Sequence, residues 1–202
     1  MRSLTLGCNV ELTARKHAAR SVPGGVVTVV PRRVARVAGP FSTRITPPGG
    51  YASAPSRSGP PATGTYNRVT VRHSGKAMDV QQPNTDNGAR VGQYTYGGNA
   101  WQQWQFQDAG GGYWRIVSRH SGKCLDVVGA STADGAELIQ YTCGSGTNQQ
   151  FQMVANGSYF QLRARHSGRC VDVPAASTAD GVVLKQCACN TGTNQQWSRT
   201  AV

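Results

Sequence analysis

The nine residues RHSGKCLDV, at positions 119–127, decide the fold because close copies of them stand at two other places in the chain. RHSGKAMDV occupies residues 72–80 and RHSGRCVDV occupies residues 165–173, at offsets of 47 and 46 residues. In each copy an aromatic residue preceded by two glutamines follows 25 positions after the aspartate; these residues are Trp104, Phe151 and Trp197. Residues 65–202 therefore consist of one unit of about 46 residues, repeated three times.

Each unit has the pattern of four short strands separated by polar turns. In the second unit the apolar stretches are YWRIVS, CLDV, AELIQY and QFQM, with Gly, Asp and Asn between them. No stretch has a helical period. Three such units without capping repeats are expected to close on themselves by symmetry, since an open array would leave bare strand edges. The repeats, at about 65–111, 112–157 and 158–202, predict an all-β fold.

Residues 1–64 have a different composition from the repeats. They carry nine Lys and Arg side chains against the single acid Glu11, and eight of the ten prolines. They show no sustained period, so we predict a basic, Pro/Gly-rich linker or disordered segment. They also lack the apolar h-region of a signal peptide, and the start as written predicts no secretion.

Composition excludes several classes of function. No window approaches 18 consecutive apolar residues, so no membrane span is expected. Of the formal net charge of +12, residues 1–64 contribute +8. The basic character is therefore not a nucleic-acid footprint of the whole protein, although a basic arm that binds anionic surfaces remains an alternative for this segment.

The three units, with Cys-Leu-Asp-Val early and Gln-x-Trp late, resemble the ricin B-chain type lectin domain, known in bacteria as the family 13 carbohydrate-binding module. The resemblance covers residues 65–202. It implies a β-trefoil, a six-stranded barrel capped by three hairpins, with one sugar pocket possible in each repeat. It also implies that the rings of Trp104, Phe151 and Trp197 pack in the core.

The cysteines predict two disulfides. Cys124 and Cys143 are 19 residues apart, as are Cys170 and Cys189, at equivalent positions of the second and third repeats, and the first repeat has Ala77 and Tyr96 there. Positions that gain or lose cysteine together are typical of a bridge. No paired C-x2-C unit supports zinc, and we expect no metal or cofactor. Cys8 and Cys187 are left without an assignment. Disulfides imply an oxidising compartment, which favours secretion despite the missing signal peptide.

The second repeat has the complete set of sugar-binding side chains that the resemblance implies. Asp126 accepts hydrogen bonds from vicinal hydroxyls, and Tyr141 stacks on the apolar face of the sugar. Asn148 bonds a hydroxyl directly, and Gln149 holds the Asp126 carboxylate from behind.

The other two pockets match less well, so we expect the order second, first, third. The first has Asp79, Tyr94 and Gln102, but Trp101 stands where Asn148 is expected and replaces an amide by a second ring. The third has Asp172, Asn194 and Gln195, but Cys187 replaces the aromatic residue. An aspartate after a strand can also simply cap a turn, and His73, His120 and His166 fit a turn role.

The predicted function is non-catalytic, weak and multivalent binding of galactose-, xylose- or arabinose-containing glycans. The three repeated aspartates are symmetry copies in separate pockets, so they do not form the carboxylate pair of a glycosidase, and no nucleophile signature stands out. We expect no membrane span and no nucleic acid as partner. The alternatives are a protein-binding, inhibitor-like trefoil with vestigial pockets and an accessory fragment of a glycoside hydrolase.

Overall fold

The computed structural model describes Cys8 and residues 64–202. The chain divides into two compact units, residues 1–10 with 54–202 and residues 11–53, and all of the second unit lies outside the described residues. The predicted linker, residues 1–64, also lies outside them except for Cys8 and Gly64. No helix in the described part of the chain has the length and apolar character needed to cross a membrane.

The described residues form thirteen strands joined by turns and three-residue 3-10 helices, which confirms the all-β prediction. The strands are β1 (Tyr66–Val71), β2 (Ala77–Val80), β3 (Val91–Tyr94), β4 (Trp104–Gly110), β5 (Tyr113–Ser118), β6 (Cys124–Val127), β7 (Leu138–Tyr141), β8 (Phe151–Asn156), β9 (Tyr159–Ala164), β10 (Cys170–Asp172), β11 (Val182–Val183), β12 (Lys185–Cys187) and β13 (Trp197–Ala201). The 3-10 helices are Ala100–Gln102, Val128–Ala130, Thr147–Gln149, Pro174–Ala176 and Thr193–Gln195. Each repeat supplies four strands, and the third supplies one more because its third strand divides at Leu184, whose N–H bonds the carbonyl of Val91.

Six strands form a closed antiparallel ring. β1 pairs with β4 and β13, β5 pairs with β4 and β8, and β9 pairs with β8 and β13. Because the first strand pairs with the last, the ring has no free edge. Three hairpins, β2–β3, β6–β7 and β10–β12, complete the repeats. This is the barrel with three hairpins that the β-trefoil prediction requires.

The three closing aromatic rings lie in the core. Trp104, Phe151 and Trp197 are fully buried. The two indole N–H groups donate to backbone carbonyls, of Met78 at 2.9 Å and of Val171 at 3.2 Å, so burial leaves neither unpaired. The core role predicted for these rings is confirmed.

An arginine at the start of each RHSG turn ties neighbouring repeats together. Arg119 Nη1 donates to Gln103 Oε1 at 2.5 Å, and its guanidinium lies 5.0 Å from the centre of the Tyr66 ring. The same pair of contacts joins Arg72 to Gln196 and Tyr159, and Arg165 to Gln150 and Tyr113. Repeats two and three bond back to their predecessors in this way, and repeat one bonds to repeat three.

The Asp-Gly turns provide a second set of contacts between repeats. Asp180 accepts from the Thr95 N–H at 2.7 Å, and Asp134 accepts from the Ala188 N–H at 2.7 Å. Asn87 takes the equivalent place in the first repeat and accepts from the Thr142 N–H at 2.9 Å. The pseudo-threefold arrangement therefore rests on side chains at matching positions as well as on strand pairing.

Candidate functional site

The second repeat places a buried carboxylate beside two amides at the end of β6. Asn148 Nδ2 donates to Asp126 Oδ2 at 3.0 Å, and Gln149 Nε2 donates to the same oxygen at 2.7 Å. Burial raises the pKa of Asp126, and the hydrogen bonds from Gln149 and Asn148 oppose that rise. Gln149 is itself held, since it donates to the Thr142 carbonyl and accepts from the Gly144 N–H at 2.8 Å.

Tyr141 lies on the same face of this hairpin as Asp126. Asp126 pairs with Ile139 across the β6–β7 ladder, and Tyr141 follows Ile139 by two positions. Directly paired residues and residues two apart share a face of a sheet. The Tyr141 side chain is 46 % exposed. A buried acid and an open aromatic ring thus stand side by side.

The first repeat combines Asp79 with a larger set of aromatic side chains. Asp79 pairs with Gly92, so Tyr94, which is 47 % exposed, shares its face. Burial raises the pKa of Asp79 to about 6, against a hydrogen bond from Gln102. Position 101, where the second repeat has Asn148, is Trp101, so only one amide reaches this carboxylate from that turn.

A cavity of about 650 Å³ lies at this first pocket. Its lining includes Asp79, Tyr94, Trp101 and Gln102, together with Tyr96, Asn99 and Gln81, which sequence reasoning did not assign to a site. The signal for Tyr96 was present in the sequence, since it stands where the other two repeats have the second cysteine of their bridge. The predicted order of the three pockets stays a prediction.

The third repeat repeats the carboxylate and both amides in a closed environment. Asn194 Nδ2 and Gln195 Nε2 donate to Asp172 Oδ2 at 2.9 and 2.8 Å. Asp172 is 0 % exposed, its Oδ1 has no hydrogen-bond partner among the described residues, and burial raises its pKa to about 7.

Cys8 closes this third pocket. Cys187 pairs with Cys170 across the β10–β12 ladder, which is the place of Tyr141 in the second repeat, and it is joined to Cys8 by a disulfide. Both cysteines are buried, and the Ala175 N–H donates to the Cys8 carbonyl at 3.5 Å. Sequence reasoning left Cys8 and Cys187 unassigned, although they are the two that remain after the matched pairs are taken.

The structure contains three disulfides, which confirms the expectation of disulfide bonds. Besides Cys8–Cys187, they join Cys124 to Cys143 and Cys170 to Cys189. Cys8, Cys187 and Asp172 also lie close enough together to surround an ion. Both sulfur atoms belong to a disulfide, however, and a metal requires thiolates, so this group does not fit a metal in the oxidised protein.

The histidines of the RHSG turns have structural contacts. His73 Nε2 bonds the Ser177 carbonyl at 2.8 Å, and His166 Nε2 bonds the Ser131 carbonyl at 2.9 Å. His120 lies with its ring 5.8 Å from the ring of Trp101, in an edge-on arrangement. All three therefore join neighbouring repeats.

Comparison with known proteins agrees with this architecture. A designed threefold-symmetric protein, ThreeFoil, is 49 % identical and covers 68 % of this chain and 99 % of its own, with a TM-score of 0.67. The exo-beta-1,3-galactanase 1,3Gal43A of Clostridium thermocellum is 40 % identical over 69 % of this chain, with a TM-score of 0.67, but this chain matches only 30 % of that enzyme. A Macrolepiota procera ricin B-like lectin, solved in complex with lactose, is 21 % identical, covers 70 % of this chain and 98 % of its own, and has a TM-score of 0.61.

No curated protein matches the chain. The model of one family matches residues 57–141 and 147–202, which is well over half of the sequence. The repeats, the closed barrel and this match lead to one conclusion: the chain belongs to the family of ricin-type beta-trefoil lectin domain-like proteins.

Proposed function

We propose that this chain is a non-catalytic glycan-binding protein whose first two repeats each bind sugar. The observation that carries the proposal is the pairing of a buried, amide-held carboxylate, Asp126, with an exposed ring, Tyr141, on one face of a hairpin. Asp79 and Tyr94 have the same arrangement in the first repeat.

The chemistry of a sugar fits this pair of groups. An ionised carboxylate accepts several hydrogen bonds, and two of its acceptor positions suit adjacent hydroxyl groups. Because Gln149 and Asn148 both donate to Oδ2, the other oxygen of Asp126 is left for ligand hydroxyls. The Tyr141 ring offers an apolar plate to the C–H face of the sugar. Asn148 and Gln149 also keep the carboxylate in a fixed orientation, so little freedom is lost on binding.

In our proposal the third repeat does not bind a ligand. Asp172, Asn194 and Gln195 reproduce the hydrogen bonds, but the carboxylate has no solvent exposure and Cys187 takes the place of the plate. We therefore assign two binding pockets to the protein, with the third serving as a structural copy.

Galactose-, xylose- or arabinose-containing glycans are the ligand class that we propose. One similar protein is a galactanase, and another is a lectin solved in complex with lactose, a sugar that contains galactose. Shallow single sites of this kind bind weakly, with Kd on the order of 1 mM. Two sites on one polymer gain affinity through effective concentration, which favours a polysaccharide or clustered glycan.

We infer that the described acids do not form a catalytic pair. Asp180 raises the pKa of Asp79 through its charge, but Asp180 is itself paired with Lys76 Nζ at 2.6 Å and accepts from Thr95. Those contacts lower the pKa of Asp180. Glycoside hydrolysis needs one carboxyl group free to protonate the leaving oxygen and one facing it across the bond. Because Lys76 and Thr95 hold Asp180, we infer that Asp79 has no free carboxylate opposite it for this reaction.

We further propose that the protein works outside the cytoplasm. Three disulfides among the described residues form and persist in an oxidising compartment. Since this chain matches a third of a galactanase, an accessory role beside a glycoside hydrolase is consistent with the same site.

Affinity electrophoresis of the oxidised full chain in gels with β-1,3-galactan, arabinogalactan or xylan tests the proposal. We expect at least one polymer to retard the protein, Asp79→Ala and Asp126→Ala each to reduce the shift, and the double variant to abolish it. Asp86→Ala, a change at an exposed turn outside both pockets, is the control and keeps the full shift. A double variant that migrates like the native chain would refute the site, and a native chain that no glycan retards would favour a protein partner instead.

A further inference from the structure

The loop after β3 differs from its counterparts in the other repeats at the positions that line the first pocket. In the second repeat the equivalent positions are Cys143, Gly146 and Asn148. The first repeat has Tyr96, Asn99 and Trp101 there, and all three line the 650 Å³ cavity. The first repeat thus lacks this disulfide and has two aromatic rings and an amide around the cavity instead.

Two of these side chains are held in place by their neighbours. Trp101 is partly buried against the core, and its ring meets the ring of His120 at an interplanar angle of 78°. The Arg68 guanidinium lies 4.8 Å from the centre of the Tyr96 ring. Rings fixed in this way bind without a large loss of side-chain freedom.

The cavity is larger than one sugar ring requires. A hexose has twelve non-hydrogen atoms and displaces roughly 200 Å³ at the density of condensed matter. Asp79 and Tyr94 supply one carboxylate and one plate, which is the complement of a single ring. Trp101, Tyr96 and Asn99 supply further rings and an amide in the same cavity, so they form a second set of contacts.

The polar groups of this lining suit neutral hydroxyls. Gln81 Nε2 donates to the Gly181 carbonyl at 2.5 Å, which leaves the side-chain oxygen of Gln81 as an acceptor. Asp79 is the one charged side chain in the lining, and neither lysine nor arginine is among the residues that line the cavity. The cations beside this lining are already paired, Arg68 with the Tyr96 ring and Lys76 with Asp180, so a sulfated or uronic sugar would meet the Asp79 carboxylate without a cation in the lining to balance its charge.

We infer that the first pocket binds at least two consecutive units of a neutral oligosaccharide, the first unit at Asp79 and Tyr94 and the next at a subsite formed by Trp101, Tyr96 and Asn99. This inference rests on the proposed glycan binding and deepens it. The second pocket has Asn148 and a disulfide-closed loop at the matching places, and it binds one unit.

The test compares affinities along a series of chain lengths, with each pocket isolated. Calorimetry on Asp126→Ala reports the first pocket and calorimetry on Asp79→Ala reports the second, with galactose, β-1,3-galactobiose and β-1,3-galactotriose as probes, and xylose, xylobiose and xylotriose as a second series. We expect affinity in Asp126→Ala to rise about tenfold from monosaccharide to trisaccharide, and affinity in Asp79→Ala to stay within about twofold.

Trp101→Asn, combined with Asp126→Ala, installs the residue of the second repeat and should remove the gain with chain length. Tyr96→Ala in the same background is an independent variant in case Trp101→Asn disturbs folding, and Asp86→Ala is the control that keeps the gain. Equal affinity for all lengths in Asp126→Ala, or a gain that survives both Trp101→Asn and Tyr96→Ala, overturns the subsite. If neither isolated pocket nor the native chain binds any probe, the proposed function fails as well, so the two failures are distinct.

Discussion

The second and third pockets have almost the same hydrogen bonds around a buried aspartate, but they differ in the exposure of one residue across the hairpin. In each, an asparagine and a glutamine donate to one oxygen of the aspartate, at 3.0 and 2.7 Å in the second and 2.9 and 2.8 Å in the third. One position across the hairpin then differs, with exposed Tyr141 in the second pocket and buried Cys187 in the third. The carboxylate-amide cluster is therefore part of how each hairpin is built, and it does not by itself mark a binding site.

The two pockets differ in the residue that pairs with the first residue of the hairpin's first strand, which is Cys124 in β6 and Cys170 in β10. Tyr141 presents an exposed aromatic ring at this position. Cys187 instead forms a disulfide with Cys8, which lies close to the Asp172 carboxylate. Asp172 Oδ1 is buried and has no hydrogen-bond partner among the described residues, and burial raises the pKa of this carboxyl group to about 7. The cluster thus has a structural function in both pockets, and we propose that it has a ligand-binding function in the second pocket alone.

The largest expected effect concerns stability at the closed pocket. The double variant Cys8→Ser/Cys187→Ser should lower the free energy of unfolding by about 5 kcal/mol, because it removes a cross-link between residues 179 apart in sequence. Urea unfolding under oxidising conditions measures this. Glycan retardation should be unchanged, and a loss of retardation would show that the Cys8 bridge supports the open pockets as well.

Removing the carboxylate should have unequal effects on ligand binding in the two pockets. In an Asp79→Ala background, Asp126→Ala should weaken glycan binding about 100-fold, since two charge-assisted hydrogen bonds are lost. Asp172→Ala in that background should leave the affinity as it is, because we propose that the closed third pocket binds no ligand. Calorimetry checks both variants, and comparable losses from the two would contradict the difference between the pockets.

Removal of the plate should have a smaller effect. Tyr141→Ala should weaken binding at the second pocket about tenfold, through lost stacking and buried apolar area. Tyr141→Phe and Tyr141→Trp keep a ring and should retain most of the affinity. If Tyr141→Phe behaves like Tyr141→Ala, the hydroxyl group matters and the ring does not.

The smallest effect is a pH dependence of stability from Asp172. Its pKa is raised from an ordinary value of 3.8 to about 7 in the folded chain, so the folded state binds the proton more tightly than the unfolded state. The resulting stabilisation is complete below pH 3.8 and is lost as the pH rises through 7. Between pH 6 and 8 the native chain should lose about 1 kcal/mol relative to Asp172→Asn, measured by urea unfolding. Parallel curves for the two proteins would contradict the raised pKa.

Much of the fold could be predicted from the sequence because the same unit of about 46 residues is repeated three times. Matching offsets of the aspartates and aromatic residues predicted three four-stranded units that close by symmetry. The trefoil, with Trp104, Phe151 and Trp197 buried in its core, was predicted by the resemblance to the ricin B-chain type lectin domain. The same resemblance identified Asp126 and Tyr141 as sugar-binding residues, and the β6–β7 ladder places them on one face.

Features that break the threefold pattern could not be predicted in this way. The Cys8–Cys187 bridge joins residues 179 apart, and no local pattern connects a cysteine of the first segment with one of the third repeat. The first cavity depends on where Tyr96, Asn99 and Trp101 point once their loop lacks a disulfide, which sequence spacing does not specify. The sequence is thus least informative about the residues that differ between the repeats, and these residues make the pockets different.

We propose that sugar binds to the first two repeats and not to the third, and side-chain amide signals in a ¹H–¹⁵N spectrum distinguish the three sites. During titration of the native chain with galactose, the side-chain NH₂ signals of Gln102, Asn148 and Gln149 should shift. The Asn194 and Gln195 signals should stay in place. Equal shifts in all three repeats, or shifts confined to Asn194 and Gln195, would contradict it.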